Sequence, residues 1–92
     1  MSSEFEGTFE IINALGLHAR AAAQLVQMAN RYKSEVTLEC EGQQANAKSI
    51  MGVLMLAAAK GMQVKVRCRG EDAEPCLREI EGLIANKFGE SQ

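Results

Sequence analysis

Apolar and polar residues alternate in three stretches of the chain, and this two-residue period is typical of half-buried β-strands. The three predicted strands cover residues 5–12, 35–41 and 62–69. The residues expected to face a core are Phe5, Gly7, Phe9 and Ile11 in the first strand, Val36, Leu38 and Cys40 in the second, and Val64, Val66 and Cys68 in the third. A tight turn at Glu41 and Gly42 predicts a hairpin into a fourth, short strand at residues 43–47.

Three other stretches repeat apolar residues at helical spacing. We expect helices over residues 19–30, 50–59 and 73–88, with Ser49 and Asp72 as N-caps of the second and third. The residues expected to be buried are Ala22, Leu25, Val26 and Ala29 in the first helix, and Ala73, Cys76 or Leu77, Ile80, Leu83 or Ile84, and Phe88 in the third. Gly89 ends the third helix, and residues 90–92 are expected to fray.

The order of these elements is strand, helix, strand, strand, helix, strand, helix. Polar strand faces and amphipathic helices predict an α+β fold in two layers, a four-stranded antiparallel sheet with one face open to solvent and three helices on the other. The 92 residues suffice for one core, so residues 1–92 are expected to form a single domain.

Composition excludes several classes of protein. The formal net charge is −2 and the ten Lys and Arg residues are scattered, which disfavours nucleic-acid binding. We expect no membrane span or secretion signal, and therefore a cytoplasmic location. Cys40, Cys68 and Cys76 lack CxxC spacing, and the sequence has only one histidine that could act with them as a metal ligand. We therefore expect reduced structural thiols and no metal site.

Candidate chemistry is concentrated in residues 16–23, GLHARAAA, where His18 falls at the predicted start of the first helix. Free amides and the positive end of the helix dipole attract anions there and disfavour an imidazolium ion. A neutral ring beside an anion site is a candidate nucleophile for phosphoryl groups, and the Arg20 guanidinium suits phosphate oxygens. The alternative is a capping or surface histidine without chemistry.

The predicted second helix is unusually apolar. Its large apolar residues are Ile50, Met51, Val53, Leu54, Met55 and Leu56. They surround the helix and exceed what one stripe can bury, so we expect part of this surface to face outward and bind partners. The alternative is that all six residues belong to the core.

Two motifs occur in this order: GLHAR at residues 16–20 and KSIMGVL at residues 48–54, with the SEVTLECEG hairpin between them. The motifs and the spacing of the hairpin resemble the HPr family, the histidine-containing phosphocarriers of the bacterial phosphoenolpyruvate-dependent sugar phosphotransferase system. The resemblance spans nearly the whole chain. It implies an open-faced βαββαβα sandwich in which His18 accepts a phosphoryl group on Nδ1 from phosphorylated enzyme I. His18 would then pass the group to an enzyme II A domain in sugar uptake, with Arg20 stabilising the phosphate.

The resemblance also implies roles for the second motif. Ser49 would be a regulatory site phosphorylated by HPr kinase/phosphorylase, although a plain helix cap explains the same serine. The residues implied in partner docking are Ala19, Ile50, Met51 and Leu54. One departure is Ala21, where the family usually has proline, and we expect looser preorganisation of the helix start from it.

No Gly-rich phosphate loop or metal-carboxylate cluster stands out in the sequence, so we expect a carrier without cofactor that receives its phosphate from another protein. We also expect a monomer. Two alternatives keep the same scaffold: a regulatory paralogue of the nitrogen-branch type, and a binding module that acts on a transcription regulator through phosphorylated Ser49. A third alternative, a thiol-redox protein, depends on the three cysteines alone.

Overall fold

The computed structural model describes residues 3–92, and it contains all seven predicted elements in the predicted order. The strands and helices are β1 (Ser3–Glu10), α1 (Ala19–Ala29), β2 (Glu35–Cys40), β3 (Gln43–Asn46), α2 (Ile50–Met55), β4 (Gln63–Gly70) and α3 (Ala73–Ala85). A short 3₁₀ turn at Lys87–Gly89 follows α3.

The four strands form one antiparallel sheet in the order β1-β4-β2-β3. Strand β4 lies between β1 and β2, and its residue Val66 is opposite Gly7 on one side and opposite Leu38 on the other. The three helices cover one face of this sheet, and α3 contacts both β1 and β4. The predicted α+β fold is therefore confirmed.

Alternation along the strands places the core where the sequence predicts it. Side chains on the inner face of β2 and β4 are fully buried, namely Val36, Leu38, Cys40, Val64, Val66 and Cys68. Helix residues that pack on them include Ala22, Leu25, Ala29, Val53, Cys76, Ile80 and Ile84. The expectation for Phe5 was wrong, because Phe5 is 38% exposed. It lies on the edge strand β1, where a residue has a neighbouring strand on one side only.

Helix α2 ends four residues earlier than predicted. Ala57 adopts a φ of +51°, in the left-handed region that ends a helix. The chain then turns back towards α1, and the Ala58 carbonyl accepts a hydrogen bond from the Leu17 amide at 2.9 Å. This tertiary hydrogen bond replaces the last helical turn that the apolar sequence predicts.

Asp72 precedes α3 as predicted, but its side chain does not cap that helix. Its carboxylate instead accepts hydrogen bonds from the amides of Lys33 and Ser34, both at 2.9 Å, and from the Ser34 hydroxyl at 2.5 Å. Asp72 therefore ties the start of α3 to the loop between α1 and β2. Phe88 is buried as expected, but it reaches the core from the 3₁₀ turn and not from α3.

Candidate functional site

His18 occupies the N-cap position of α1, with extended backbone angles (φ −72°, ψ 178°). Its carbonyl accepts the first helical hydrogen bond, from the Ala22 amide at 2.8 Å. The amides of Ala19, Arg20 and Ala21 therefore have no partner within the helix. The His18 side chain is 28% exposed, so the ring lies at the surface beside these amides and not in the core.

The loop before His18 is held by contacts that only glycine permits. Gly16 has a φ of +65°, and a Cβ atom added there would lie 2.5 Å from the Ala58 carbonyl oxygen. The Gly16 amide donates to the Asn13 carbonyl at 3.2 Å and closes a tight turn. Together with the Leu17–Ala58 hydrogen bond, these contacts fix the direction from which the chain enters α1.

One ring nitrogen of His18 is engaged by a carboxylate. Nε2 lies 2.5 Å from Oε2 of Glu90, and Nδ1 has no hydrogen-bond partner among residues 3–92. Because an ionised carboxylate only accepts, this contact places a proton on Nε2. In the neutral ring the lone pair is then on Nδ1.

Glu90 was missed in the sequence analysis, and the expectation that residues 90–92 fray was wrong. The Gln92 carbonyl accepts a hydrogen bond from the Ala14 amide at 2.9 Å, and Glu90 accepts one from Asn13 Nδ2 at 3.1 Å. The His18 hydrogen bond, supported by the one from Asn13, holds the pKa of the Glu90 carboxyl below its usual value. The C-terminal segment is therefore docked against the candidate site.

Arg20 is exposed and shares a cleft with the C-terminal segment. This cleft of about 470 Å³ is lined by Ala14, Leu15, Arg20 and residues 89–92. Within the part of the chain that the structure describes, Arg20 has no ion-pair partner. Arg20 therefore lines the same cleft as Glu90, the residue that contacts His18.

Helix α2 packs against α1 and presents an exposed apolar surface, which we call the α2 patch and define as Ile50, Met51 and Met55. Their exposed fractions are 44%, 68% and 74%. Val53 and Leu56 are buried, whereas the three residues of the α2 patch are exposed. The prediction that part of the helix faces outward is therefore confirmed.

The other two predicted docking residues differ in exposure. Ala19 is exposed, whereas Leu54 is half-buried and packs on the core. Leu15, which the sequence analysis did not select, is 67% exposed in the loop before His18. The apolar surface around the site is therefore larger than the resemblance implied.

Ser49 caps α2 as predicted, because its Oγ accepts a hydrogen bond from the Gly52 amide at 3.1 Å. Its side chain is half-buried. Ala21, which stands where the family usually has proline, is only 1% exposed and packs in the core.

Among residues 3–92, no group of three or more His, Cys, Asp or Glu side chains could hold a metal ion. No helix in the same residues has the length and hydropathy to cross a bilayer.

Comparison with known proteins agrees with this geometry. The family model described as PTS HPr component phosphorylation site matches residues 5–86. The phosphocarrier protein HPr of Cupriavidus necator is 49% identical over 82 residues, which cover 89% of this chain and 92% of that protein. The crystal structure of HPr-C-His from Thermoanaerobacter tengcongensis is 42% identical, with a TM-score of 0.92 over 96% of this chain and 99% of that one.

A crystal structure of an HPr dimer from Thermoanaerobacter tengcongensis is also similar, with 43% identity and a TM-score of 0.76 over 89% of this chain and 94% of that one. The matches cover nearly all of the chain and include both motifs that surround His18 and Ser49. The chain therefore belongs to the HPr family, the phosphocarrier proteins of the phosphotransferase system, which carry a phosphoryl group and are not enzymes.

Proposed function

We propose that this phosphocarrier accepts a phosphoryl group on Nδ1 of His18 from phosphorylated enzyme I and passes it to an enzyme II A domain during sugar uptake. The observation that carries the proposal is the contact between Glu90 and Nε2 of His18. It leaves Nδ1 as the atom with the free lone pair, at the exposed start of α1. No cofactor takes part in this transfer.

The chemical step is a displacement at phosphorus. The Nδ1 lone pair forms the new N–P bond while the bond from phosphorus to the donor breaks, and the donor keeps that electron pair. Phosphoryl transfer depends on in-line positioning and on neutralising charge on the equatorial oxygens more than on covalent work by the protein. Passage to the next protein reverses these roles, with Nδ1 of His18 as the leaving atom.

Two features of this chain support charge neutralisation. The amides at the start of α1, which have no partner within the helix, favour an anion, as helix N-termini do for phosphate. The exposed Arg20 guanidinium offers a planar set of donors that matches phosphate oxygens. Glu90 supports the ring from the opposite nitrogen, because a proton held on Nε2 makes the phosphorylated imidazole a better leaving group.

Partner proteins would dock over the α2 patch and Ala19. These side chains are exposed, and α2 packs against the helix that begins at His18. Methionine side chains adapt to differently shaped surfaces, which suits a carrier that binds a donor and several acceptors in turn.

The closing experiment uses purified enzyme I and labelled phosphoenolpyruvate. We expect one acid-labile, alkali-stable phosphoryl group per chain, no label in His18→Ala, and a ³¹P–¹⁵N correlation to Nδ1. An enzyme II A domain should then remove the label. Undiminished labelling of His18→Ala, or attachment at Nε2, would contradict the proposal.

Regulation through Ser49 is the second part of the proposal. Ser49 precedes the α2 patch, so a phosphate on its Oγ would place negative charge beside the surface where enzyme I docks. HPr kinase/phosphorylase with ATP is expected to label the wild type and not Ser49→Ala, and to slow phosphorylation of His18. A regulator that binds only the Ser49-phosphorylated chain, in the absence of labelling by enzyme I, would instead favour the regulatory paralogue.

We also propose that the protein is a monomer and that it is located in the cytoplasm. The three free thiols agree with a reducing compartment. Light scattering of the purified chain at micromolar concentration should give the mass of one chain, 10.0 kDa. A doubled mass would show that this chain dimerises, as the similar Thermoanaerobacter tengcongensis HPr dimer does.

A further inference from the structure

Asn13 is a fully buried polar residue in the loop that leads to His18. Its side-chain amide nitrogen donates two hydrogen bonds, to the Gly16 carbonyl at 2.9 Å and to Oε2 of Glu90 at 3.1 Å. Its side-chain oxygen, Oδ1, is buried without a hydrogen-bond partner among the described residues. Neither the family resemblance nor the sequence pattern singles out this residue.

The orientation of the Asn13 amide follows from its two partners. Both are acceptors, a carbonyl oxygen and a carboxylate oxygen. A flipped amide would place Oδ1 against both of them and lose both hydrogen bonds, so the NH₂ group must face Gly16 and Glu90. The unpartnered Oδ1 is the consequence of that orientation.

A buried oxygen without a partner reduces stability, and an apolar side chain of similar size would avoid that loss. The two donated hydrogen bonds therefore account for an amide at this position. One of them supports the turn before His18. The other ends on the same Glu90 oxygen, Oε2, that contacts Nε2 of His18.

These contacts form a chain from Asn13 Nδ2 through Glu90 Oε2 to His18 Nε2. Glu90 belongs to the three C-terminal residues, where the backbone contact of Gln92 with Ala14 also holds the segment. The Glu90 side chain loses conformational freedom when its carboxylate is held, and a rigid buried donor reduces the number of positions that it can occupy. Asn13 thereby selects the position of Oε2 in which it meets the imidazole.

We propose that Asn13 is a positioning residue of the phosphoacceptor site, which acts through Glu90 to hold the proton and the orientation of the His18 ring. Asn13 does not touch the phosphoryl group or the partner proteins, because it is buried. The effect on phosphotransfer rests on the function proposed above, whereas the effect on the ring does not.

The first test observes the ring without any partner protein. The Nε2 proton of His18 in the wild type should give a downfield NMR resonance protected from exchange with water. Asn13→Leu, which introduces an apolar side chain of similar size, should accelerate that exchange about tenfold, because the carboxylate that holds the proton loses one of its hydrogen bonds. Glu90→Ala should abolish the protected resonance.

The second test is a double-mutant cycle on the rate of phosphorylation by enzyme I. If Asn13 acts through Glu90, Asn13→Leu slows the wild type about tenfold and has no further effect in the Glu90→Ala background. An equal slowing in both backgrounds, or an Nε2 resonance unchanged by Asn13→Leu, would overturn the proposal.

If Asn13→Leu fails to fold, Asn13→Ser replaces it. Serine has a shorter donor side chain, so the exchange rate of the Nε2 proton should lie between the wild-type rate and the rate expected for Asn13→Leu. Circular dichroism identifies folded variants before either test. If the exchange results hold while enzyme I labels no variant and no wild type, the positioning role stands and the proposed function fails.

Discussion

Arg20 lines the same cleft as Glu90, and the proposed function gives its guanidinium the role of binding the phosphoryl group on His18. Because Arg20 is exposed and without an ion pair in residues 3–92, its removal should leave the fold unchanged. Arg20→Ala is expected to slow phosphorylation by enzyme I about a hundredfold, the loss typical of one transition-state donor. Arg20→Lys should lose less, since it keeps the charge but not the planar donor pair. Equal rates for the wild type and Arg20→Ala, measured by labelling, would exclude this role.

The hydrogen bonds that Asp72 accepts from Lys33 and Ser34 make part of the stability of the fold depend on acid pH. The hydrogen bond from the Ser34 hydroxyl, together with the Lys33 amide, lowers the pKa of the Asp72 carboxyl. A carboxyl whose pKa is lower in the folded state stabilises the fold fully above its unfolded pKa, about 3.9, and loses that contribution as the pH falls through the lowered value. Ser34→Ala should therefore reduce the acid-dependent part of the unfolding free energy, measured by urea denaturation between about pH 5 and pH 2. The exposed Ser3→Ala is the control, and parallel pH curves for Ser34→Ala and the wild type would contradict the assignment.

The loop before His18 contacts the segment after α2, and this close contact requires glycine at position 16. Gly16 and Gly42 both have positive φ, +65° and +80°, but only a Cβ at Gly16 would meet another atom within 4 Å. Gly42→Ala should lose about 1–2 kcal/mol of unfolding free energy from backbone strain alone. Gly16→Ala should lose about 1–3 kcal/mol more from overpacking against Ala58, and His18 should be phosphorylated more slowly. Equal losses in urea denaturation would show that the Ala58 contact relaxes freely.

Helix α2 is short, and its exposed apolar face contributes little to folding. Met51 is 68% exposed, so Met51→Glu should change the unfolding free energy by no more than about 0.5 kcal/mol. The same change should raise the KM for phosphorylation by enzyme I about tenfold, because it places a charge in the docking surface. Thr8→Glu adds the same charge to an exposed position on the outer face of β1 and is the matched control. An unchanged KM for Met51→Glu would place the docking surface elsewhere.

Elements with a clear period could be predicted from the sequence, and tertiary contacts decided the rest. The inner faces of β2 and β4 and the start of α1 follow directly from residue order. The end of α2 does not, because alanine at position 57 favours a helix locally, yet it adopts a positive φ beside Ala58, whose carbonyl accepts a hydrogen bond from the distant Leu17 amide.

The same limit applies to the site. His18 and Arg20 are found by their local motif at the start of a helix, whereas Asn13 and Glu90 are separated by most of the chain and meet only in the folded molecule. A short polar C-terminus after a glycine is ordinarily read as frayed. Its role as part of the site became visible only with the contacts to Ala14 and His18.

All three cysteines belong to the hydrophobic core of the molecule. Cys40, Cys68 and Cys76 are all buried and free, and burial raises the pKa of each thiol, that of Cys68 to about 12. Thiolate is the reactive form, so buried thiols of raised pKa are poor redox groups at neutral pH. These residues act as small apolar side chains that fill space between β2, β4 and α3.

A variant with all three cysteines changed to alanine should accept one phosphoryl group per chain at the wild-type rate, because no thiol contacts the His18 site. It should lose about 1 kcal/mol of unfolding free energy per substitution, since each leaves a small void in the core. Urea denaturation measures the unfolding free energy, which should fall. Labelling by enzyme I measures the phosphorylation rate, which should not change. Loss of labelling in a triple variant that denaturation shows to be folded would restore the thiol-redox hypothesis, whereas full labelling confines the chemistry of this chain to the start of α1 and the segment docked against it.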